Sequence, residues 1–328
     1  MSRVLVTGGA GYIGSHTVLA LAEEGHEVVV YDSLEEGHAE AVKGFPLVRA
    51  DVHDSLHLAG ALREHRIEAV IHFAAYLKVP ESMEKPGKYF YNNTAGTLNL
   101  LQQMVQEGVE HLVFSSTCAV YGEPERTPIT EDHPKDPTNP YGLSKWMSEE
   151  MMDWFGRIHG LQSIRLRYFN AAGADPKGRV GEDHRPEIHL IPLVLEVALG
   201  KRPEIMIFGD DYDTPDGTCI RDYIHVTDLA QAHLLALKAL QGGAKTKAYN
   251  AGNGKGFSVK EVIEAAREVT GHPIPATIKG RRAGDPARLI GSADRLRHEL
   301  GWNPQYADLK TILRTAWDWY KAHPNGYG

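Results

Sequence analysis

The first half of the chain alternates short apolar, β-branched runs with longer segments whose apolar positions recur at helical spacing. Six runs read as strands: Arg3 to Thr7, Glu27 to Tyr31, Pro46 to Ala50, Ala69 to Phe73, His111 to Ser115 and Ser163 to Arg167. Such alternation predicts crossover units, and hence an α/β fold with a doubly wound parallel sheet and helices on both faces. The first helix shows its stop signal. Gly14 to Glu24 carries Val18, Leu19 and Leu21 at helical spacing, and Gly25 supplies the C-terminal cap. After residue 170 the pattern changes to Gly-, Pro- and Asp-rich stretches, as in Asn170 to Glu187 and Gly209 to Gly217, broken by helical segments. Loops of that length inside a compact chain are usually functional. The division expected is residues 1–169 for the sheet domain and 170–328 for a smaller, irregular α/β domain, with 221–250, a strand and then a helix, packing back on the first.

Composition changes this picture little but excludes several classes. With 42% hydrophobic and 24% charged residues the chain is an ordinary globular protein, neither disordered nor fibrous. Its 328 residues fit two domains. A formal charge of −8 without a basic stripe argues against nucleic acid or an anionic membrane as partner. The two cysteines, Cys118 and Cys219, make neither a disulfide framework nor a Cys-rich zinc site. The opening MSRVLVT runs straight into a strand with no leader-like pattern, so a mature cytoplasmic start is expected. Apolar runs fall far short of the roughly 20 residues that span a bilayer. The 17 histidines show no H-E-x-x-H or other metal-ligand spacing, so no catalytic metal is expected.

Residues 4 to 14, VLVTGGAGYIG, combine a strand, Gly8, Gly9, Gly11 and Gly14, and a helix start. Glycines there keep the turn tight and let backbone N–H groups approach a pyrophosphate, which the helix N-terminus also favours. The next strand, EVVVYD, ends at Asp32. A carboxylate at that place accepts bonds from the adenosine ribose and repels a 2′-phosphate, favouring NAD over NADP; a turn or cap role is the alternative. Asp51, closing LVRAD, stands where a third strand reaches the adenine, or is a plain strand-end turn.

YGLSK places Tyr141 and Lys145 at i and i+4 on one helix face. A free tyrosine, with a pKa of about 10, is too weakly acidic to serve as a base at neutral pH. A nearby ammonium and a positive nicotinamide both favour the phenolate. The run HLVFSSTCAVYG puts Ser115, Ser116 and Thr117 at the carboxyl end of a strand, where such sheets bind ligands. A hydroxyl there can bridge substrate oxygen and tyrosine, or merely satisfy local backbone. Cys118 reads as a small buried hydrophobe.

The combination of TGGAGYIG, SSTCAVYG and Tyr-x-x-x-Lys resembles the extended short-chain dehydrogenase/reductases. YFNAAGAD (168–175), GEDH (181–184), HLIP (189–192), IFGDDYDTPDGTCIRDYIHV (207–226), RRAGDP (281–286) and LGWNP (300–304) narrow the resemblance to the UDP-glucose/UDP-galactose 4-epimerases, over essentially the whole chain. It implies a Rossmann domain with tightly held NAD and a UDP-sugar domain. Tyr141 would be the base, Lys145 its electrostatic partner, and Thr117 the hydroxyl that helps deprotonate the sugar 4-OH. The cofactor would rest on Gly8, Gly11, Tyr12, Ile13, Gly14, Asp32, Asp51, Val52, Phe73, Ala74, Ala75, Asn92, Lys145 and Phe169. The sugar nucleotide would meet Asn170, His189, Leu190, Met206, Ile207, Phe208, Arg221, Arg282 and Asp285, with arginines paired to pyrophosphate oxygens. Thr117 stands where the family often has Ser, His189 where some members have Asn, and Leu77, followed by Lys78, where some carry a cofactor-contacting Lys.

The implied reaction is epimerisation at C4 through a 4-keto sugar that turns over while its nucleotide stays anchored. Dehydratases of the same superfamily usually place an Asp-Glu pair just after the strand-end hydroxyl; here Cys118 and Ala119 follow. A pentose or uronate 4-epimerase remains an alternative, and a non-catalytic NAD-binding regulator a distant one, since such proteins typically lose the Tyr or the Lys. Leu289 is implied to gate the space at the sugar C2 substituent, and with it acceptance of UDP-N-acetylhexosamines, unless it is an ordinary core leucine. A homodimer through paired helices is implied as well, with Leu98, Leu101, Met104, Val105, Trp146, Met147, Met151 and Met152 as its apolar surface.

Overall fold

The structure, a computed structural model, describes residues 1–282 and 285–328. In chain order the first part runs β1 (Arg3–Thr7), α1 (Tyr12–Glu23), β2 (Glu27–Asp32), β3 (Leu47–Arg49), α2 (Ser55–Glu64), β4 (Ala69–His72), α3 (Val79–Glu84), α4 (Pro86–Tyr89), α5 (Gly96–Glu107), β5 (His111–Thr117), α6 (Pro140–His159) and β6 (Gln162–Tyr168). There follow β7 (Asn170–Ala172), α7 (Leu190–Ala198), β8 (Ile205–Phe208), β9 (Ile220–His225), α8 (Val226–Gln241), β10 (Lys247–Ala251), β11 (Gly256–Ser258), α9 (Val259–Thr270), β12 (Ala276–Lys279), β13 (Arg288–Leu289), α10 (Asp294–Leu300) and α11 (Leu309–Ala322).

All six predicted strands lie in one seven-stranded sheet, ordered β10-β6-β5-β4-β1-β2-β3. Every pairing in it is parallel. Strand order reverses between β1 and β4, so the chain leaves these neighbours in opposite directions and opens a crevice at their carboxyl ends. One face of the sheet is covered by α1 and α8 through Val18, Leu21, Leu229, Ala232 and Leu237. On the other face α2, α5 and α6 pack Leu58, Leu62, Leu100, Leu101, Met104 and Met152 against Leu5, Val70 and Phe114.

The segment 221–250 divides. Helix α8 packs on the large sheet and strand β10 pairs with β6 within it. Strand β9 instead pairs with β7, β11 and β13 in a separate sheet. A third pair, β8 with β12, and helices α7, α9 and α11 enclose a second core built on Val194, Ile207, Val262, Ile312 and Trp319. Helix α9 starts with a reciprocal capping box between Ser258 and Glu261, which fixes its entry beside β11.

Of the residues assigned to the dimer surface, Leu101, Met104 and Met152 are fully buried in the sheet core, and Trp146 and Met151 pack against core clusters. Met147 of that set is exposed, and on the same outward side of α6 so are Leu143, Trp154 and Ile158, which were not in it. The reason is that the sheet face is wide enough to absorb the inner sides of α5 and α6, leaving only the outer stripe of α6.

Candidate active site

The crevice holds a cavity of about 600 Å³, within the range of small-molecule sites. Every residue assigned to the cofactor lines it: Gly8, Gly11, Tyr12, Ile13, Gly14, Asp32, Asp51, Val52, Phe73, Ala74, Ala75, Asn92, Lys145 and Phe169. Glycine is required at the turn. Gly8 sits at φ +69°, and a Cβ there would lie 2.5 Å from the Ala74 amide nitrogen. A Cβ on Gly14 would lie 2.2 Å from the Gly8 carbonyl oxygen, so the turn folds against α1 only without side chains. Asp32 takes the turn role its sequence position allowed and stands at the cavity wall. Its carboxylate accepts the Ala10 and Leu34 N–H groups at 2.9 and 2.8 Å, shaping the turn, while lining the cavity. Burial pushes its carboxyl upward from the ordinary range, and those two N–H groups oppose the shift.

Helix α6 begins at Asn139, whose side chain accepts the Gly142 N–H at 2.8 Å, with Pro140 at the first helical position. This start sets Tyr141 beside the end of β5 and Lys145 one turn deeper. The Lys145 ammonium donates to the Ser115 carbonyl at 2.8 Å and lies 4.8 Å from the Phe114 ring centre. Burial lowers it to about 7, against the raising effect of Glu149. Burial drives the Tyr141 phenol up to about 12, and the Thr117 hydroxyl pulls the other way. The three hydroxyls have separate duties. Ser115 bonds the Tyr168 hydroxyl, Ser116 donates to Glu149 Oε1 at 2.5 Å, and Thr117 lines the cavity and accepts the Ala119 N–H at 3.1 Å.

Behind Lys145 stands a polar core that the sequence did not announce. Glu149, fully buried, accepts from Arg167 Nε at 2.9 Å. Arg167 also donates to the Tyr121 hydroxyl at 3.0 Å, which donates to Asn250 Oδ1 at 2.6 Å. The i, i+4 spacing of Lys145 and Glu149 was the available signal, but the partner on β6 is remote in sequence. Replacing Glu149 by Leu should cost about 3–5 kcal/mol, because Arg167 would be left buried and unpaired. Urea unfolding of the variant measures it, and a loss below 1 kcal/mol, about the worth of an exposed pair, would contradict the reading.

On the other wall stand Asn170, His189, Arg221, Arg282, Asp285 and Leu289. Arg221 is held by the Pro286 carbonyl at 2.8 Å and Asp285 Oδ1 at 3.3 Å, so its fork is oriented in advance. Arg282 lies 4.1 Å over the Phe208 ring. Asn170 donates to the Asp222 carbonyl at 3.0 Å. Leu289 both lines the cavity and packs on the small cluster of Cys118, Val120, Tyr121 and Ile129.

Leu190, Met206 and Ile207 are not brought to the cavity wall. Strand alternation turns Ile205 and Ile207 into the second core and Met206 outward, 48% exposed, while Leu190 packs on that same core. Phe208 contributes as the platform under Arg282. Lys78 does line the cavity, with its ammonium 3.0 Å from Glu36. The sequence reading also missed that Glu182, His184, Glu187 and His189 converge in the loop before α7.

Residues 4–252 match the model of the "NAD dependent epimerase/dehydratase family". The chain is 56% identical over 324 residues to a UDP-glucose 4-epimerase of Halalkalibacterium halodurans, covering 99% of this chain and 97% of that one. A crystal structure of a UDP-glucose 4-epimerase superposes with a TM-score of 0.98 at 53% identity, covering 99% of both chains. That of the Brucella ovis UDP-glucose 4-epimerase in complex with NAD gives 0.95 at 45% identity, covering 97% of this chain and 98% of that one. With its glycine turn, Asp32 and the Tyr141–Lys145 pair on one cavity, the chain belongs to the NAD dependent epimerase/dehydratase family.

Proposed function

We propose that this protein interconverts UDP-glucose and UDP-galactose by inverting C4, with NAD as a retained prosthetic group. The observation that carries the reading is a single cavity with the glycine turn and Asp32 at one end, the orienting arginine Arg221 at the other, and Tyr141, Thr117 and Lys145 between. NAD fits the residues present: Gly8, Gly11 and Gly14 present bare backbone to the cavity where a pyrophosphate would lie, and a carboxylate closes β2. Gly11 to Gly14 would hold its pyrophosphate, Asp32 its adenosine ribose, and Lys145 and Phe169 its nicotinamide end. Bound there, NAD would supply the reversible hydride acceptor for C4.

The rest belongs to this chain. Tyr141 takes the 4-OH proton and later returns it, Thr117 holds the same oxygen, and the Lys145 ammonium favours the phenolate. Arg221 and Arg282 anchor the substrate pyrophosphate so that the keto sugar can rotate without leaving. Elimination of water would need acids next to Thr117, where Cys118 and Ala119 stand, and burial holds the Cys118 thiol protonated, up to about 12. The test is NMR of UDP-galactose incubated with the purified protein and no added cofactor. UDP-glucose should accumulate to an equilibrium mixture; unchanged substrate with folded, NAD-loaded protein would refute the proposal.

Leu289 is read as the gate beside the sugar C2 substituent. Leu289→Tyr should lower the rate on UDP-N-acetylgalactosamine relative to UDP-galactose by about 10-fold or more, the scale of a steric exclusion. Equal losses on both sugars would make it a packing residue only. The exposed stripe Leu143, Met147, Trp154 and Ile158 supports a homodimer through α6, which a monomer at micromolar concentration in sedimentation would reject. No helix among the described residues is long and apolar enough to cross a membrane. Both cysteines are buried free thiols, in keeping with a cytoplasmic location.

A further inference from the structure

We infer that the loop before α7 is a zinc site, built from Glu182, His184, Glu187 and His189. These residues occupy the pattern E-x-H-x-x-E-x-H, and one nitrogen or oxygen from each falls within 4.8 Å of the others. The two imidazole Nδ1 atoms both lie 3.1 Å from Glu182 Oε1. His184 Nδ1 is 3.6 Å from Glu187 Oε2, and His189 Nδ1 is 2.8 Å from Glu187 Oε1. Zinc bonds to nitrogen and oxygen of about 2.0–2.2 Å place the ligands of a tetrahedral ion roughly 3.3 Å apart, which is the middle of this range.

Internal hydrogen bonding leaves the cluster incomplete. Glu187 Oε1 already takes the Ile188 and His189 backbone N–H groups at 2.6 and 2.7 Å and lies 2.8 Å from His189 Nδ1. Its Oε2 has no hydrogen-bond partner although the side chain is only 4% exposed, and the 3.6 Å to His184 is too long for one. A buried, unpartnered carboxylate oxygen 3.6 Å from one imidazole nitrogen, in a cluster with a second imidazole and a second carboxylate, is what a bound cation would satisfy. Two imidazoles select a borderline ion such as zinc over magnesium or calcium, which prefer oxygen alone. Two carboxylates and two neutral imidazoles around Zn²⁺ are also neutral overall, as burial requires.

The ion would fix a wall of the active cavity. Glu182, His184 and His189 line that cavity, and the His184 ring stands edge-on to Tyr12, 6.1 Å between centres, at the start of α1. With four protein ligands the site is closed, so its role is to clip the loop rather than to activate water.

The test is zinc analysis of the full-length protein after gel filtration, then chelation with EDTA and calorimetric titration with zinc chloride. One zinc per chain is expected, lost on chelation and regained with one-to-one stoichiometry. The thermal midpoint should fall and recover in step. Glu187→Gln, which keeps the side-chain shape, and His184→Ala should each remove that one equivalent. Cobalt in place of zinc should give the intense visible bands of a tetrahedral site. Absence of stoichiometric zinc both as purified and on titration would overturn the inference, as would an equivalent that survives in both variants. The chelation and titration arms use the unaltered chain, so they decide the matter even if a variant does not fold.

Discussion

Tyr141→Phe is expected to lower kcat by about 10²–10⁴, the usual worth of a positioned general base, with little change in KM for the UDP-sugar. The ring contributes packing that Phe keeps, including the edge-on contact with Tyr89 at 6.5 Å between centres. The hydroxyl contributes the proton transfer, and Phe has none. Burial, only partly opposed by the Thr117 hydroxyl, holds the phenol up at about 12, so the phenolate is available only when positive charge is brought beside it. In the proposed mechanism Lys145 would supply part of that charge, and bound NAD the remainder. A base works deprotonated, so activity should rise with pH until the phenolate is fully formed. That limb of the profile should vanish in Tyr141→Phe. Turnover of the variant near the wild-type rate would remove Tyr141 from the mechanism, whereas a loss of bound NAD would show that it acts through cofactor binding instead.

The second large effect concerns stability. His16, His72, His225 and His233 are buried and hold their rings neutral, lowered mainly by burial to about 4, 3, 3 and 4. His16 and His233 are bonded at one ring nitrogen, His72 and His225 at both. His72 lies between Thr7 and Thr97 at 2.6 and 3.1 Å, and His233 reaches the Leu229 carbonyl at 2.9 Å. Above pH 7 these groups are neutral in both states and affect nothing. Below the unfolded value near 6.5 the unfolded chain takes up protons that the folded chain refuses, so stability falls with falling pH down to the folded values. At pH 5 the loss is about 2 kcal/mol for each ring, or about 8 kcal/mol together. That is comparable with the whole stability of a typical domain, about 5–15 kcal/mol. Urea unfolding at pH 7.5 and 5 should show the drop, and His233→Gln should flatten the slope by roughly one proton, about 1.4 kcal/mol per pH unit. Equal stability at both values would mean that these rings charge without cost.

The chain's local patterns determined the parts whose physics is local. Strand and helix periodicity reported which residues face a core, so six of the seven strands of the large sheet could be placed. The glycine turn and Asp32 were legible because a tight turn and a strand-end carboxylate lie within one crossover unit. Tyr141 and Lys145 were legible because helical spacing puts them on one face whatever surrounds the helix.

Tertiary structure decided whatever depends on groups distant in sequence. It paired Glu149 with Arg167 across α6 and β6, turned Ile207 into a core while leaving Phe208 under Arg282, and buried Leu101, Met104 and Met152. It sent β9 to the second sheet, where β7, β11 and β13 pair with it, and gave the edge beside β6 to β10. It also curled Glu182, His184, Glu187 and His189 around one point, an arrangement invisible to a search for helical metal motifs because the loop has no fixed period. Periodicity reports which way a side chain points; only the folded chain determines what it meets there.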